Sequence, residues 1–409
     1  MSWLTVRNTG AVAACGAVLL AAAPALATAP AGSNPRVAAV VAAAKWQAGE
    51  LVEGGIPGFV GSDWGLTIDT ILALSATRAD PVALTAATDA VAANVRAYNS
   101  NEAWGEPGSR IAGATAKILV AAIAAHRDPT AFGGFDLRQE TLDLIAGADA
   151  GADEGRVRDR KTSSDNSNAF GQSLAVLGLA RSGGVPGPAV DFLIRQQCPS
   201  GGFRLFPDRL GSSGPTCQDG PATVLDPDST GMAVQALLAA AAEDGTPGAA
   251  EAARKGADWL KSTQRGDGSF GGSGPTVASN TNSTGLAGQA LHAAGHSAAG
   301  DKAAAWVLGH QITKANAGKA DDEIGTIAYN AESFESARAD GIADFQRDQW
   351  RRATPQALLV LADVPLGKLG RQPTDPEPTD PGPSGTESPT TAPTSPGPAG
   401  PGPSTPAPT

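Results

Sequence analysis

Thr230-Gly231-Met232-Ala233-Val234-Gln235-Ala236-Leu237-Leu238-Ala239-Ala240, wound as an α-helix, is apolar around most of its circumference. A helix tolerates that only when it is buried nearly all round, and its Ser/Thr start supplies an N-cap. Residues 169–180 and 284–293 have the same character. Six segments share a small polar or acidic start followed by an Ala/Leu-rich run. They begin near Thr67-Ile68-Asp69-Thr70, Ala114-Thr115, Asn168-Ala169-Phe170, Asp228-Ser229-Thr230, Asn282-Ser283-Thr284 and Ala353-Thr354-Pro355. Their spacing, roughly fifty to seventy residues, is that of a helical hairpin plus a loop.

Between these segments lie runs with one apolar stripe and one charged face. In residues 251–263, Trp259 and Leu260 point inward while Arg254, Lys255 and Lys261 point outward. Residues 37–51, 82–98, 188–195 and 303–311 read the same way. All-apolar inner helices alternating with half-apolar outer ones predict an all-α fold, an α6/α6 toroid of two concentric rings. An open α-solenoid is the alternative. In a toroid the polar starts of the inner helices gather at one mouth, where Asp69, Asn166, Asn168, Asp226, Asp228, Ser229, Asn282, Ser283 and Thr284 would lie.

The 409-residue chain carries a formal net charge of -11, which argues against nucleic-acid binding because phosphate affinity needs concentrated Lys and Arg. Arg7, an apolar stretch through Leu26 and the small-x-small pattern Ala25-Leu26-Ala27 read as a signal peptide, residues 1–27, cleaved after Ala27. A lipobox at Cys15 fits poorly, since the apolar run follows that cysteine. The toroid is expected over 28–368 with no transmembrane segment in the mature chain. A Pro/Thr/Ser-rich tail over 369–409 cannot bury apolar surface and reads as an extended, disordered stalk or wall spacer. The protein is thus expected to be secreted or held at the cell surface. Cys198 and Cys217, the two cysteines of the mature chain, share one Gly/Pro/Ser-rich loop, and a disulfide between them would stabilise by about 3 kcal/mol in the chain-entropy model.

Trp259-Leu260-Lys261-Ser262-Thr263-Gln264-Arg265-Gly266-Asp267-Gly268-Ser269-Phe270-Gly271-Gly272 and Phe192-Leu193-Ile194-Arg195-Gln196-Gln197-Cys198-Pro199-Ser200-Gly201-Gly202-Phe203, with a weaker copy at Trp104-Gly105, resemble the Gln-x-x-x-Gly-aromatic repeats of the terpenoid cyclase and protein prenyltransferase superfamily. Locally, the Gln can satisfy orphan carbonyls, the Gly permits a left-handed turn, and the aromatic seals the gap to the next inner helix. The resemblance covers roughly residues 36–366 and implies the toroid, with functional groups just before the inner helices. Leu225-Asp226-Pro227-Asp228-Ser229-Thr230 resembles the Asp-x-Asp-Asp-Thr motif of squalene-hopene-type cyclases. The match puts Asp228 in the place of the protonating acid and Asp226 in that of the first Asp. Ser229 replaces the last Asp, and the chain is only 5% aromatic, too poor to wall a carbocation cavity. N-capping is the competing role for both aspartates.

His292 and His296 stand four apart but flank Gly295 at a helix end, and Asp321-Asp322-Glu323 is an acidic loop. The histidines read as structural or exposed and the acidic run as a solvated face, which at the mouth could hold Ca²⁺; no metal or cofactor is expected. The sequence therefore points first to a monomeric module that binds a small-molecule or surface ligand at its mouth. The enzyme alternative is a terpenoid-cyclase-like or glycan-acting toroid that uses the mouth's acidic residues.

Overall fold

The computed structural model describes residues 35–211 and 216–371. The signal peptide, Cys15, and the tail apart from residues 369–371 lie outside the described residues. Six apolar helices form the inner ring: α2 (Trp64–Thr77), α5 (Ala112–Ala124), α7 (Ala169–Ala180), α9 (Pro227–Asp244), α11 (Thr281–Ala293) and α14 (Arg347–Ala362). Each packs on the next, and α14 packs on α2. The ring is therefore closed, and the solenoid alternative is excluded. The outer ring comprises α1 (Pro35–Gly49), α3 (Pro81–Ala93), α6 (Leu137–Leu142), α8 (Gly187–Arg195), α10 (Ala249–Thr263) and α12 (Ser297–Leu308), each packed on two successive inner helices. The short helices α4 (Val95–Asn99) and α13 (Ala331–Asp340) sit in connections between the rings. No helix among the described residues is long and apolar enough to cross a membrane.

The predicted helix starts need correction. The N-cap of α9 is Asp226, not a Ser or Thr, and that of α11 is Asn280; each accepts the backbone N–H three residues on. Thr230 and Thr284 lie one turn inside, where each hydroxyl accepts the backbone N–H of the preceding loop's Phe203 or Phe270, both at 2.9 Å. Helix α14 starts at Arg347, with Pro355 in its interior. Proline has no N–H to offer the Arg351 carbonyl, and the Gln47 amide approaches that oxygen at 3.4 Å instead. Outer helix α6, only six residues long, was missed because so short a run shows no helical periodicity.

The Gln-x-x-x-Gly repeats are scaffold. Gln264 Nε2 donates to the Gly268 and Ala299 carbonyls, both at 2.9 Å, tying its own loop to the next outer helix. Gln197 does the same to Gly201 and Ala252. Gly268 has φ +94°, and a Cβ there would stand 2.6 Å from the Lys302 carbonyl oxygen. Phe203 and Phe270 are fully buried behind these turns. A further copy, in which Gln311 bonds the Gly325 and Ala39 carbonyls, joins the last outer helix to the first. Trp104-Gly105 is not a copy: Trp104 is 85% exposed, and nothing approaches a Cβ at Gly105. Cys198 and Cys217 form the expected disulfide.

The barrel is plugged at the C-terminal ends of its inner helices by residues 364–371. Gln289 Nε2 donates to the Val364 carbonyl at 2.6 Å, Gln235 Oε1 accepts the Leu366 N–H at 2.7 Å, and the two glutamine side chains bond each other at 2.9 Å. Leu366 and Leu369 are buried, so packed structure continues past residue 368. One mouth remains open, at the helix N-termini.

Candidate functional site

The open mouth holds a cavity of about 560 Å³ lined by residues of α4, the starts of α5, α7 and α9, and the loop at 273–276. Its polarity follows from the fold, because helix N-termini collect capping side chains. Asp226 is the clearest case. Its Oδ1 accepts the Ser229 N–H at 2.6 Å, its Oδ2 accepts the Ser273 hydroxyl at 2.7 Å, and the residue is 3% exposed. Both carboxylate oxygens are thereby engaged in structure.

Asp228, two residues on, differs. It lines the cavity, yet its Oδ1 is buried without a hydrogen-bond partner. Burial pushes its carboxyl up to about 7, and the negative charge of Asp226 adds to the rise; the nearby Ser283 hydroxyl acts the other way as the smallest effect. A carboxylic acid that keeps its proton near neutral pH has the property a general acid needs. Tyr329 belongs to the same neighbourhood: burial raises its phenol pKa, and the charge of Asp228 raises it further.

Across the cavity stands an ion pair. Lys117 Nζ lies 2.7 Å from Asp69 Oδ1 and donates to the Gly65 carbonyl at 3.0 Å. Burial would lower the ammonium's pKa, but the charge of Asp69, with smaller contributions from Tyr98 and Asp63, leaves it raised. Tyr98 itself is raised, first by burial.

The other expected site residues are divided. Asn168 caps α7 by accepting the Gly171 N–H at 2.8 Å and also lines the cavity. Asn166 is exposed and bonds Ser164 and Asp159 outside the cavity lining. Ser229 and Ser283 are buried beside Asp228 with unpartnered hydroxyls. Asn282 donates to Gln356 Oε1 at 2.6 Å while its own Oδ1 is buried and unpartnered. Thr284 serves the scaffold, bonding the Asn280 carbonyl and the Phe270 N–H. His292 lies against Asp301 and Asp363 and His296 against Asp258, so the two do not converge. Glu323 is taken by Arg347 and the Trp46 indole, each at 2.6 Å.

Tyr98, Lys117, Phe170, Ser273 and Tyr329 were not singled out from the sequence. A signal existed for three of them. Lys117 is the one charged residue of α5 and Asp69 the one charged residue of α2, and lone charges on neighbouring buried helices need each other. The chain's only tyrosines are Tyr98 and Tyr329, and both sit at the mouth.

No family model matches the chain, and no curated protein matches it. Solved structures share the toroid. The unsaturated glucuronyl hydrolase of Bacillus sp. GL1, responsible for degradation of glycosaminoglycan, superposes with TM-score 0.53 and 11% identity, covering 82% of this chain and 96% of its own. An inactive variant of the α-1,6-mannanase GH76A of Salegentibacter sp. HEL1_6, in complex with α-1,6-mannotriose, gives TM-score 0.53 and 10% identity over 81% and 99%. A possible member of the GH105 family from Klebsiella pneumoniae gives 0.51 and 10% over 86% and 98%. At such identities the likeness concerns the fold, and these neighbours are glycan-acting toroid hydrolases. The toroid that the repeats' resemblance to terpenoid cyclases implied is thus present, and nothing in these likenesses extends to that superfamily.

Proposed function

We propose that this chain is an exported glycan-acting hydrolase in which Asp228 is the general acid. One observation carries the reading: the Asp228 carboxyl, buried with its Oδ1 unpartnered and its pKa pushed up to about 7, lines an open cavity large enough for part of a sugar chain. Asp228 would donate its proton to the glycosidic oxygen as the C–O bond breaks, and water would complete hydrolysis at the sugar carbon. Asp226, fixed by Ser229 and Ser273, positions the start of α9 and keeps the proton on Asp228 through its charge. A pure binding module accounts for the capping role of Asp226 but gives no use to a protonated Asp228. A carbocation cyclase would need aromatic walls, whereas Tyr98 and Phe170 are the two rings lining this cavity.

Glycan-acting toroids among the structural neighbours, one of them holding a mannotriose, support the substrate class. The secreted chain, incubated with a polysaccharide panel, should release reducing ends, and Asp228→Asn should abolish the release. Activity that survives Asp228→Asn would assign the chemistry elsewhere. Export is part of the proposal, supported by the leader pattern before Thr28 and the Cys198–Cys217 disulfide. N-terminal sequencing of the mature protein should begin at Thr28.

A further inference from the structure

Resting on that reading, we propose that the mouth accepts uncharged sugar chains and turns uronic acids away. The charges facing the cavity decide this. Among the described lining residues Lys117 is the one cation, and its ammonium is already matched by Asp69 at 2.7 Å and by the Gly65 carbonyl. With the two side chains only 16% and 14% exposed, the pair is drawn largely out of water and offers no free cation to a sugar carboxylate. Arg352 of α14 is likewise paired, with Asp63 at 2.8 Å. Opposite Lys117 stand Asp226 and Asp228, with no basic group among their described hydrogen-bond partners. A uronate entering this partly dehydrated space meets the charge of Asp226, joined by that of Asp228 wherever its carboxyl is ionised, and no counter-ion.

Hydroxyl groups find side chains that both donate and accept in Asn168, Ser273 and Thr276, and apolar surface in Phe170 and Leu205 for the C–H faces of a sugar ring. The glucuronyl hydrolases share the toroid; the charge accounting at this mouth points to a different class of ligand.

The test is a titration of the full-length secreted chain near neutral pH with two sets of oligosaccharides: neutral (manno-, gluco- and xylo-) and uronic (galacturonate and hyaluronan). Neutral chains should bind at least about tenfold more tightly than uronic ones in low salt, and the gap should shrink in high salt as like-charge repulsion is screened. Asp69→Asn, which strips Lys117 of its counter-ion, should bring uronate binding up toward that of neutral chains. Uronic chains binding as tightly as neutral ones to the unaltered protein would overturn the inference and leave the glycan reading standing. So would a preference indifferent to salt, whether or not Asp69→Asn folds. Binding or cleavage of no glycan at all would overturn the glycan reading, and this inference with it.

Discussion

The two ends of the barrel are built from the same six helices and do opposite things. At the C-terminal end the buried glutamines are matched: Gln235 and Gln289 bond each other and then the backbone of residues 364–366, and Leu366 and Leu369 are buried there. At the N-terminal end Asp228 Oδ1, Ser229 Oγ, Asn282 Oδ1 and Ser283 Oγ are buried and unpartnered. Four exposed aromatics, Phe59, Trp104, Phe206 and Phe345, sit on outer-to-inner connections around that same end. Unmatched buried polar atoms each cost about 1–3 kcal/mol. Plugging one end and leaving the other open with polar groups wanting partners supports the second as the place of the proposed site.

The comparison breaks most visibly at Asp228. Asp228→Asn should reduce glycan cleavage about a thousandfold while raising stability. The sign follows from the carboxyl's raised pKa: the unfolded chain releases this proton near pH 4 and the folded one near 7, so the wild type loses stability as pH rises across that window. Melting curves should therefore show Asp228→Asn above wild type by about 5 °C at alkaline pH and converging with it in acid. A variant that loses both activity and stability at all pH values would make Asp228 a structural residue.

At the closed end the effects should be purely structural. Gln289→Ala leaves the Val364 carbonyl and the Gln235 amide without partners and should cost about 3 kcal/mol, read as a lower denaturation midpoint with an unchanged pH–activity profile. A shifted profile would show that the two ends are coupled. Cys198→Ser should cost a similar amount, about 3 kcal/mol, and because Leu205 in the clamped loop lines the cavity, it should also weaken substrate binding.

The smallest effect separates docked loops from the open one. Gly268→Ala drives a Cβ into the Lys302 carbonyl in a left-handed backbone and should destabilise by about 3 kcal/mol. Gly105→Ala has φ +87° but open space around it, and should cost about 1 kcal/mol. Equal losses at the two positions would show that backbone conformation alone, and not docking onto the next outer helix, makes those glycines necessary.

Much of the architecture was legible because burial leaves a periodic trace. An inner helix shielded on all sides must be apolar all round, and residues 230–240 say so without any neighbour in view. Helix starts were less legible. Asp226 and Asn280 cap from four residues before the Thr that the repeats make conspicuous, and those threonines turned out to serve the preceding loops. Helix α5 shows why such assignments need coordinates: its first N–H is held at 2.7 Å by Asp159, forty-seven residues away.

The sequence by itself determined the alternation of fully and half-buried helices, the clamped loop, and the acidic start of α9, because these depend on short-range periodicity, proximity along the chain and residue type. Only the tertiary structure decided that the ring closes through α14 on α2, that one end is plugged, that Lys117 is spent on Asp69, and that Asp226 is tied down while Asp228 keeps its proton. Those outcomes depend on which side chains meet across helices far apart in sequence, and on how much water each keeps. Neither quantity is written in the spacing of residues along one strand of chain.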